Sequence, residues 1–554
     1  MPHLYSVVIV NCWFNEELKI MLRLRDILLP FDHKPDALAL SILKRLKISR
    51  PELLDFTIIR KSIDARCKKN ILAVYTIDVR VRDEAGVLCR FSQDNSVSPA
   101  PCMKYRMPAA GDIRGLRPVV VGSGPCGLFA ALILAQLGFK PVLIERGKDV
   151  KSRIKDVQNF WRNGDLDPES NVQFGEGGAG TFSDGKLTTQ IKDKHNRSRK
   201  VLEEFVKAGA PEEILFHARP HIGTDNLVRV VKNLRGGIIS LGGQVRFETK
   251  LTGIEIKGGK VTGAIVNDAE NIETETIVLA LGHSARDTFE MLHRLGIPIE
   301  AKPFSIGVRI EHPQDVIDQA QYGGSASGTL LGPAGYKLVH HCEIGRSAYT
   351  FCMCPGGEVI ACSSEAGAVV TNGMSFYSRN RPNANSALLA GVDTPDFEGI
   401  SPLAGIEFQR KWERRAFETG GNNYFAPIQL VGDFLAGRPS RSLGRVAPSY
   451  RPGTTPCDLE ECLPRFVVET LRLAIPQMDR KLKGFSMNDA VMTAVESRSS
   501  SPIRIIRDQT FQSPALEGLY PAGEGAGYAG GIISSAIDGI KIAEAICGRT
   551  LKMT

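Results

Sequence analysis

Apolar residues recur along the chain in short runs that predict alternating strands and helices. Residues 118–121 form a run typical of a buried strand, and residues 128–137 form a longer run typical of a buried helix. Apolar strands follow at residues 141–144 and 276–280. Strands alternating with helices in this way predict an α/β fold.

Residues 21–115 have the pattern of a separate small α/β domain. Within them, residues 37–46 predict a helix, residues 49–52 a further helix start with proline in its first turn, and residues 71–81 a strand. Residues 96–115 contain three prolines and two glycines. That composition is typical of a domain boundary.

The composition is that of a globular enzyme. Of 554 residues, 43% are apolar and 23% are charged. The apolar runs are shorter than the roughly 20 residues that span a bilayer, and the N-terminus lacks the features of a secretory signal. The 12 cysteines are scattered without a framework spacing, as expected of reduced thiols. We therefore expect a cytoplasmic protein without membrane association.

The net charge of +8 is concentrated near the N-terminus, where residues 21–116 hold 18 Lys and Arg against 11 Asp and Glu. This excess indicates either a solvated basic face or a polyanionic partner.

The segment Gly-Ser-Gly-Pro-Cys-Gly at residues 122–127 stands directly between the first strand and its helix. In a dinucleotide site, Gly122 permits the tight turn, Gly124 lets the backbone approach a pyrophosphate, and Gly127 lets the helix pack on the strand. The helix N-terminus adds N–H donors and a positive dipole end. Glu145 ends the next strand, where a carboxylate can accept hydrogen bonds from a ribose.

A second glycine-lined junction between strand and helix, at residues 518–534, favours FAD over NAD. Flavin is long and needs a further surface, with Glu524 on its ribityl or phosphate side. The helix from about Gly531 would point its positive end at the ring. The alternative is a glycine-rich helix start required only for packing. We expect the cofactor to be bound by Gly122, Ser123, Gly124, Pro125, Cys126, Gly127, Glu145, Arg146, Gly178, Gly180, Ala280, Gly282, Gly523, Glu524, Gly531, Ile532 and Ile533.

These glycine and acid positions together resemble the glutathione-reductase-type FAD domain. Three longer segments, residues 171–186, 302–309 and 350–357, resemble a family of large FAD-dependent dehydrogenases. The resemblance implies FAD binding and oxidoreductase activity but no particular substrate. Members of that family start near Met21, so we expect residues 1–20 to be a non-native extension.

The predicted architecture is a Rossmann-like FAD-binding domain of this type, split by a long mixed α+β insertion and preceded by the small N-terminal α/β domain. We place the N-terminal domain at residues 21–115, the two parts of the FAD-binding domain at 116–285 and 516–554, and the inserted substrate or cap domain at 286–515.

Three charged residues are candidates for catalysis. The loop at residues 175–186 lacks a redox cysteine pair, and there Lys186, beside Asp184, could stabilise reduced flavin or bind an anionic substrate. Near the C-terminal return, Arg498 would suit an anionic substrate and Glu496 would suit an acid or base. The competing interpretation is an ordinary loop salt bridge for Lys186 and a structural loop for the other two.

Cysteines give no strong signal of a site. Cys352 and Cys354 form a close pair on a strand-like segment, but a separation of two residues along an extended chain fits disulfide geometry poorly, which favours packing. Cys457 and Cys462 lack histidine neighbours or a second cysteine pair, so no metal site is predicted.

The insertion has no second unit of strand, glycine turn, helix and acid. Either a small organic substrate reduces the flavin directly, or NAD(P)H docks transiently at the ring. The leading hypothesis is an FAD-dependent dehydrogenase or reductase that transfers hydride to or from an unidentified substrate. The alternatives are a flavoprotein bound to RNA through its basic N-terminal domain and a flavin-binding scaffold without turnover.

Overall fold

The computed structural model describes residues 21–109, 115–324 and 329–553. Residues 1–20, expected to be a non-native extension, lie outside the described residues. Within the described chain, one compact unit comprises residues 21–64 and 71–102, and a second comprises residues 65–70 and everything after residue 102. The boundary expected from composition lies further along the chain, at residue 115.

The first unit is an antiparallel sheet with the strand order β2-β3-β1-β4. Buried residues of the first helix recur at Leu38, Ile42 and Leu46, a helical spacing that faces the apolar side of the sheet. The helix predicted at residues 37–46 is confirmed, whereas residues 49–52 form only a 3₁₀ turn because a long strand begins directly after it. The elements are β1 (Leu22–Pro30), α1 (Ala37–Leu46), β2 (Leu53–Asp64), β3 (Leu72–Val81), α2 (Glu84–Arg90) and β4 (Val97–Pro99).

A five-stranded parallel sheet in the second unit carries both glycine-rich junctions. Its order is β23-β11-β5-β6-β7, which matches the doubly wound 3-2-1-4-5 order of dinucleotide-binding domains. The edge strand β23 comes from the far end of the chain, so this domain is discontinuous in sequence. The elements are β5 (Val119–Val121), α3 (Pro125–Gln136), β6 (Val142–Ile144), β7 (Gln244–Arg246), β11 (Ile277–Leu279), β23 (Leu519–Pro521) and α12 (Ile532–Met553).

Between β6 and β11 the chain adds helices and a small antiparallel sheet with the order β10-β9-β8. These elements are α4 (Val150–Asn163), α5 (Arg197–Lys207), α6 (Thr224–Ser240), β8 (Leu251–Lys257), β9 (Lys260–Val266) and β10 (Glu270–Glu273).

The insertion contains a seven-stranded mixed sheet with the order β14-β15-β18-β13-β21-β19-β20. Two further sheets of two strands each, β12-β22 and β16-β17, lie in the same insertion. The helices and strands of the insertion are α7 (Arg286–Arg294), β12 (Ile299–Ala301), β13 (Phe304–Pro313), α8 (Gln314–Tyr322), β14 (Val339–His341), β15 (Ser347–Cys354), β16 (Glu358–Ala361), β17 (Thr371–Met374), β18 (Asn383–Val392), α9 (Ala404–Gly420), β19 (Ala426–Leu430), α10 (Val431–Ala436), β20 (Thr454–Pro456), α11 (Arg465–Lys481), β21 (Val491–Glu496) and β22 (Ile503–Ile505).

The central strand β13 shows how this sheet carries polar groups inside. Ile306, Val308 and Ile310 alternate along it and belong to a large apolar core. Arg309 and Glu311 occupy the intervening positions and are buried as well. Since side chains alternate between the faces of a strand, one face of β13 is apolar and the other holds buried charges. No helix in the described part of the chain is long and apolar enough to cross a membrane.

Candidate functional site

The first glycine-rich turn joins β5 to α3 and leaves its middle glycine open. A Cβ added to Gly122 would lie 2.3 Å from the Ala280 carbonyl oxygen, and one added to Gly127 would lie 1.8 Å from the Gly122 carbonyl oxygen. The protein itself therefore requires glycine at both positions. Among the described residues, a Cβ on Gly124 would meet only the Gly178 Cα within 4 Å, at 3.9 Å. A phosphate can approach this backbone at the positive end of α3.

A loop after α4 joins the starts of two helices. A Cβ on Gly178 would lie 3.0 Å from the Gly124 Cα, so the loop passes directly over the turn. A Cβ on Gly180 would lie 3.7 Å from Pro125 Cγ, in the first turn of α3, and 3.5 Å from Ile532 Cγ1, in the first turn of α12. The loop thus brings the N-terminal ends of α3 and α12 together, and both helices contribute a positive dipole end.

Arg153 fixes this loop from within α4. Its side chain is 0% exposed, and sequence reasoning missed it. The detectable signal is its place on the buried stripe of the helix with Val150, Val157 and Phe160, where a charge must find partners. The guanidinium donates hydrogen bonds of 2.7–3.2 Å to the carbonyl oxygens of Asn171, Val172, Gly175, Glu176 and Gly178.

Glu145 is buried and joins the turn to the loop. One carboxylate oxygen accepts from the backbone N–H and the hydroxyl of Ser123, both at 2.8 Å. The other oxygen accepts from the N–H groups of Gly147 at 3.0 Å and Gly175 at 2.9 Å. These four bonds fill the acceptor sites of a carboxylate. The ribose contact expected of Glu145 would require the rotatable hydroxyl of Ser123 to turn away from the carboxylate.

The second junction, between β23 and α12, packs on the first. A Cβ on Gly523 would lie 2.8 Å from the Cβ of Cys126. His283 Nδ1 lies 2.9 Å from the carboxylate of Glu524, which is 26% exposed, while His283 Nε2 is buried without a hydrogen-bond partner. A Cβ on the neighbouring Gly282 would meet nothing within 4 Å among the described residues. An unpartnered buried nitrogen next to this open backbone fits a bound polar group.

Three residues expected to bind the cofactor have side chains that face protein. Cys126 and Ile533 belong to the apolar core around the parallel sheet. Arg146 is held by the carboxylates of Glu169 and Asp287, and its guanidinium lies 4.2 Å from the centre of the Phe174 ring.

Lys186 and Asp184 form the expected charge pair, with Lys186 Nζ 2.8 Å from the carboxylate. Arg379, which sequence reasoning missed, donates to the same carboxylate at 2.9 and 2.6 Å. Burial opposes ionisation of Asp184, but Lys186 and Arg379 bring its pKa well below the usual range. Asp184 is fully buried, whereas the Lys186 side chain is 33% exposed. The cation is therefore positioned by protein and accessible from outside.

Glu496 lies apart from any open surface. Its carboxylate pairs with Arg309, which donates to it through Nε and, at 2.9 Å, through Nη2. Burial opposes the charge on Arg309, but pairing with Glu496 raises its pKa. The residue expected to act as an acid or base is thus buried in an ion pair with Arg309, and burial raises its pKa to about 7.

The Arg498 side chain is only 3% exposed, and all three of its guanidinium nitrogens donate hydrogen bonds within the protein. It donates to Glu413 at 3.0 and 2.8 Å, and Arg286 donates to the same carboxylate at 2.9 and 2.8 Å. Its remaining nitrogen donates to the hydroxyls of Ser284 and Ser364. The structure places Arg498 inside a buried cluster of Arg286, Glu413 and Arg498.

Lys186 lies six residues after Gly180 and pairs with Asp184, whereas Glu496 and Arg498 are buried in ion pairs. In the described residues, no group of three or more His, Cys, Asp and Glu side chains could hold a metal ion.

The strand order and the two glycine junctions define a dinucleotide-binding fold of the glutathione-reductase type. Residues 303–499 match the model of the family described as FAD-dependent protein, C-terminal domain-like, and residues 21–80 match a domain of unknown function. A protein of Clostridium beijerinckii (strain ATCC 51743 / NCIMB 8052) is 49% identical over 528 residues, covering 95% of this chain and 98% of that protein. The chain belongs to the same family of FAD-dependent proteins.

Solved structures show only distant likeness. Glycine oxidase from Bacillus cereus ATCC 14579 is 11% identical with a TM-score of 0.29, covering 78% of this chain and 96% of that chain. L-proline dehydrogenase from P. horikoshii is 12% identical with a TM-score of 0.34, covering 78% and 93%. Because these scores are low, the class assignment depends on the strand order and the family match.

Proposed function

We propose that this protein is an oxidoreductase that transfers a hydride between FAD and a small organic substrate. The observation that carries the proposal is the position of Gly180, whose backbone lies between the first residues of α3 and α12. Two helix N-termini directed to one loop favour an extended anionic cofactor, with the pyrophosphate at one end and the ring at the other. FAD, when bound, supplies the capacity to accept or donate a hydride.

The chain's own residues would hold this cofactor at three places. The open backbone at Gly124 would receive the pyrophosphate, and Ser123 with Glu145 would meet the ribose. His283 Nε2, which is buried and unpartnered, would donate to or accept from a polar group of the cofactor beside Gly282.

Lys186 is the residue best placed to act on a substrate. Burial opposes its charge, but the Cys354 sulfur and the Asp184 carboxylate raise its pKa above the ordinary value. The ammonium therefore stays protonated at neutral pH and offers a fixed positive charge at a partly open position. Such a group would orient an anionic substrate or oppose negative charge that develops near it.

We further propose that the electron donor is either this substrate itself or NAD(P)H docking from solution. The test is an anaerobic reduction screen of the purified FAD-loaded protein against NADH, NADPH and a panel of small organic acids and amines, followed by visible absorbance. Bleaching by one of these compounds at a saturable rate supports the proposal. If dithionite bleaches the flavin and every member of the panel leaves it oxidised, the proposal fails.

A further inference from the structure

Lys186 and Arg379 converge on one oxygen of a buried carboxylate. Lys186 Nζ lies 2.8 Å from Asp184 Oδ2, and Arg379 Nη2 donates to the same oxygen at 2.6 Å. Arg379 Nε donates to the other oxygen at 2.9 Å. Because the Asp184 side chain is fully buried, the two cations share one counter-ion that is fixed inside the protein. This group of three side chains therefore carries an excess positive charge.

Both cations keep donors that the protein does not use. A guanidinium has five N–H donors, and Arg379 directs only Nε and Nη2 to Asp184. In the described part of the chain, Arg379 Nη1 makes no hydrogen bond, and its side chain is 16% exposed. The partly exposed Lys186 ammonium has three donors and lies beside the same carboxylate oxygen. A carboxylate can accept from the Nη1–Nη2 edge of the guanidinium and from the ammonium together.

His221 stands opposite Lys186 in an antiparallel bridge, where side chains of facing residues project to the same side. His221 Nε2 lies 3.1 Å from the Tyr377 carbonyl oxygen, which can only accept, so the proton is on Nε2 and Nδ1 is an acceptor. Among the described residues, Nδ1 has no partner. The Tyr377 ring stacks on the imidazole with the ring centres 5.2 Å apart. Burial and the charge of Arg379 lower the pKa of His221, which keeps its ring neutral at neutral pH.

Two hydrogen bonds link these side chains to the loop over the first glycine turn. The Ser183 hydroxyl donates to the Gly180 carbonyl oxygen at 2.7 Å and accepts from the Gly185 N–H at 3.0 Å. Gly180 is the residue whose backbone lies between the starts of α3 and α12. Lys186 follows Gly185 directly. The two cations are thus tied to the backbone that would hold the cofactor.

We propose that Lys186, Arg379 and His221 bind a 2-hydroxy carboxylate, whose carboxylate bridges the two cations and whose hydroxyl donates to His221 Nδ1. This inference rests on the proposed function and names the class of its substrate. An amino acid fits less well, because its ammonium would bring a further positive charge next to Lys186 and Arg379. A carboxylate without the hydroxyl would leave the acceptor of His221 unused.

The test measures binding and not turnover. Glycolate is the smallest 2-hydroxy carboxylate, acetate lacks the hydroxyl, and glycine has an ammonium in its place. Each compound is titrated against the full chain, with and without FAD, by saturation-transfer difference NMR at low ionic strength. We expect glycolate to bind about fivefold more tightly than acetate, since it gains one hydrogen bond, and glycine to bind more weakly than acetate.

Two variants test the cations. Lys186→Gln and Arg379→Gln each remove one charge and leave the other on Asp184, so each should weaken glycolate and acetate alike by about tenfold. Arg346→Gln is the matched control, because Arg346 donates to both carboxylate oxygens of Asp396 and is 27% exposed. The control variant should bind glycolate as the wild type does.

A third variant tests the hydroxyl contact. His221→Phe keeps a ring against Tyr377 and lacks Nδ1, so the affinity for glycolate should fall to that for acetate, while acetate binding stays unchanged. Circular dichroism checks that each variant is folded, and His221→Leu replaces His221→Phe if the phenylalanine variant is not.

Equal affinities of the wild type for glycolate and acetate would overturn the proposal, as would tighter binding of glycine than of glycolate. An unchanged affinity for glycolate in both cation variants would also overturn it. Because binding needs no electron transfer, this test is separate from the flavin reduction screen. Bleaching of the flavin by an amine, together with no binding of glycolate, would overturn this site and leave the proposed function standing.

Discussion

Gly178 lies against Gly124 so closely that a methyl group on Gly178 would come within 3.0 Å of the Gly124 Cα, whereas a methyl group on Gly124 would have ordinary room at 3.9 Å. The two positions therefore differ in whether the protein's own packing requires glycine. The protein backbone requires Gly178, but among described atoms nothing requires Gly124.

Gly124→Ala is therefore expected to leave the apoprotein folded and to weaken FAD binding. The added methyl group occupies the space through which a pyrophosphate would approach, so we expect a loss of about tenfold or more in affinity, or about 1.4 kcal/mol. Equilibrium dialysis gives the affinity, and thermal unfolding of the apoprotein gives the stability. Gly236→Ala, in α6 with nothing within 4 Å of its added Cβ, is the matched control. A Gly124→Ala protein with full FAD affinity would remove the turn from the proposed site.

Gly127→Ala, in contrast to Gly124→Ala, should destabilise the apoprotein itself. Its Cβ would lie 1.8 Å from the Gly122 carbonyl oxygen, so the strand and helix must separate, at a cost of about 2–3 kcal/mol in the free energy of unfolding. Urea unfolding of the apoprotein measures this loss. Unchanged apoprotein stability would contradict the close packing described at this turn.

Arg153→Met should release the loop above the turn. Five carbonyl oxygens lose their common donor, and each one left buried without a partner costs about 1–3 kcal/mol unless the loop opens to water. We expect faster proteolytic cleavage within residues 171–178 and weaker FAD retention. Arg199→Met, at a partly exposed position on α5, is the comparison. Equal cleavage in both variants would show that Arg153 does not hold the loop.

Glu413→Gln should destabilise the protein by about 3–5 kcal/mol, since two buried guanidinium groups lose their counter-ion. Arg286 and Arg498 both pair with this carboxylate. The control is Glu407→Gln, which breaks a surface pair with Arg410 in which Glu407 is 61% exposed and should cost less than about 1 kcal/mol. Denaturant unfolding distinguishes the two. Similar losses would argue against a buried cluster.

Acidification should weaken the fold through His312. This side chain is fully buried, and burial lowers its pKa to about 4. The unfolded chain takes up a proton near pH 6.5, about where free histidine does, and the native chain does not. Stability contributed by neutral His312 is therefore complete above that pH and falls by about 3 kcal/mol as the pH drops towards 4.

Urea unfolding between pH 4 and 7 measures this slope in the wild type and in His312→Asn. The asparagine variant, which does not titrate in this range, should show a shallower dependence on pH. Parallel curves would mean that His312 does not contribute.

Sequence patterns predicted the parallel sheet because its signals are local. The strand, the glycine turn, the helix and Glu145 fall within about thirty residues, and their spacing alone sets their relation. The first helix of the N-terminal unit was found in the same way from its apolar period.

The partners of the charged candidates could not be found in this way. Glu496 meets Arg309 across 187 positions, Arg498 meets Glu413 across 85, and Arg379 meets Asp184 across 195. No periodicity in one segment shows which distant segment will neutralise its charge. The sequence pattern also could not show the register shift between Phe351 and Cys354 in β15, since a bulge depends on the pairing with the neighbouring strand β18.

The parallel sheet gains its edge strand β23 only from residues that follow the insertion. The same residues supply α12, the helix that packs on α3. Until β23 and α12 have left the ribosome, β11 has an unpaired edge and the side of α3 that packs against α12 is uncovered. A chain that stops within the insertion would expose this apolar surface and be prone to aggregation.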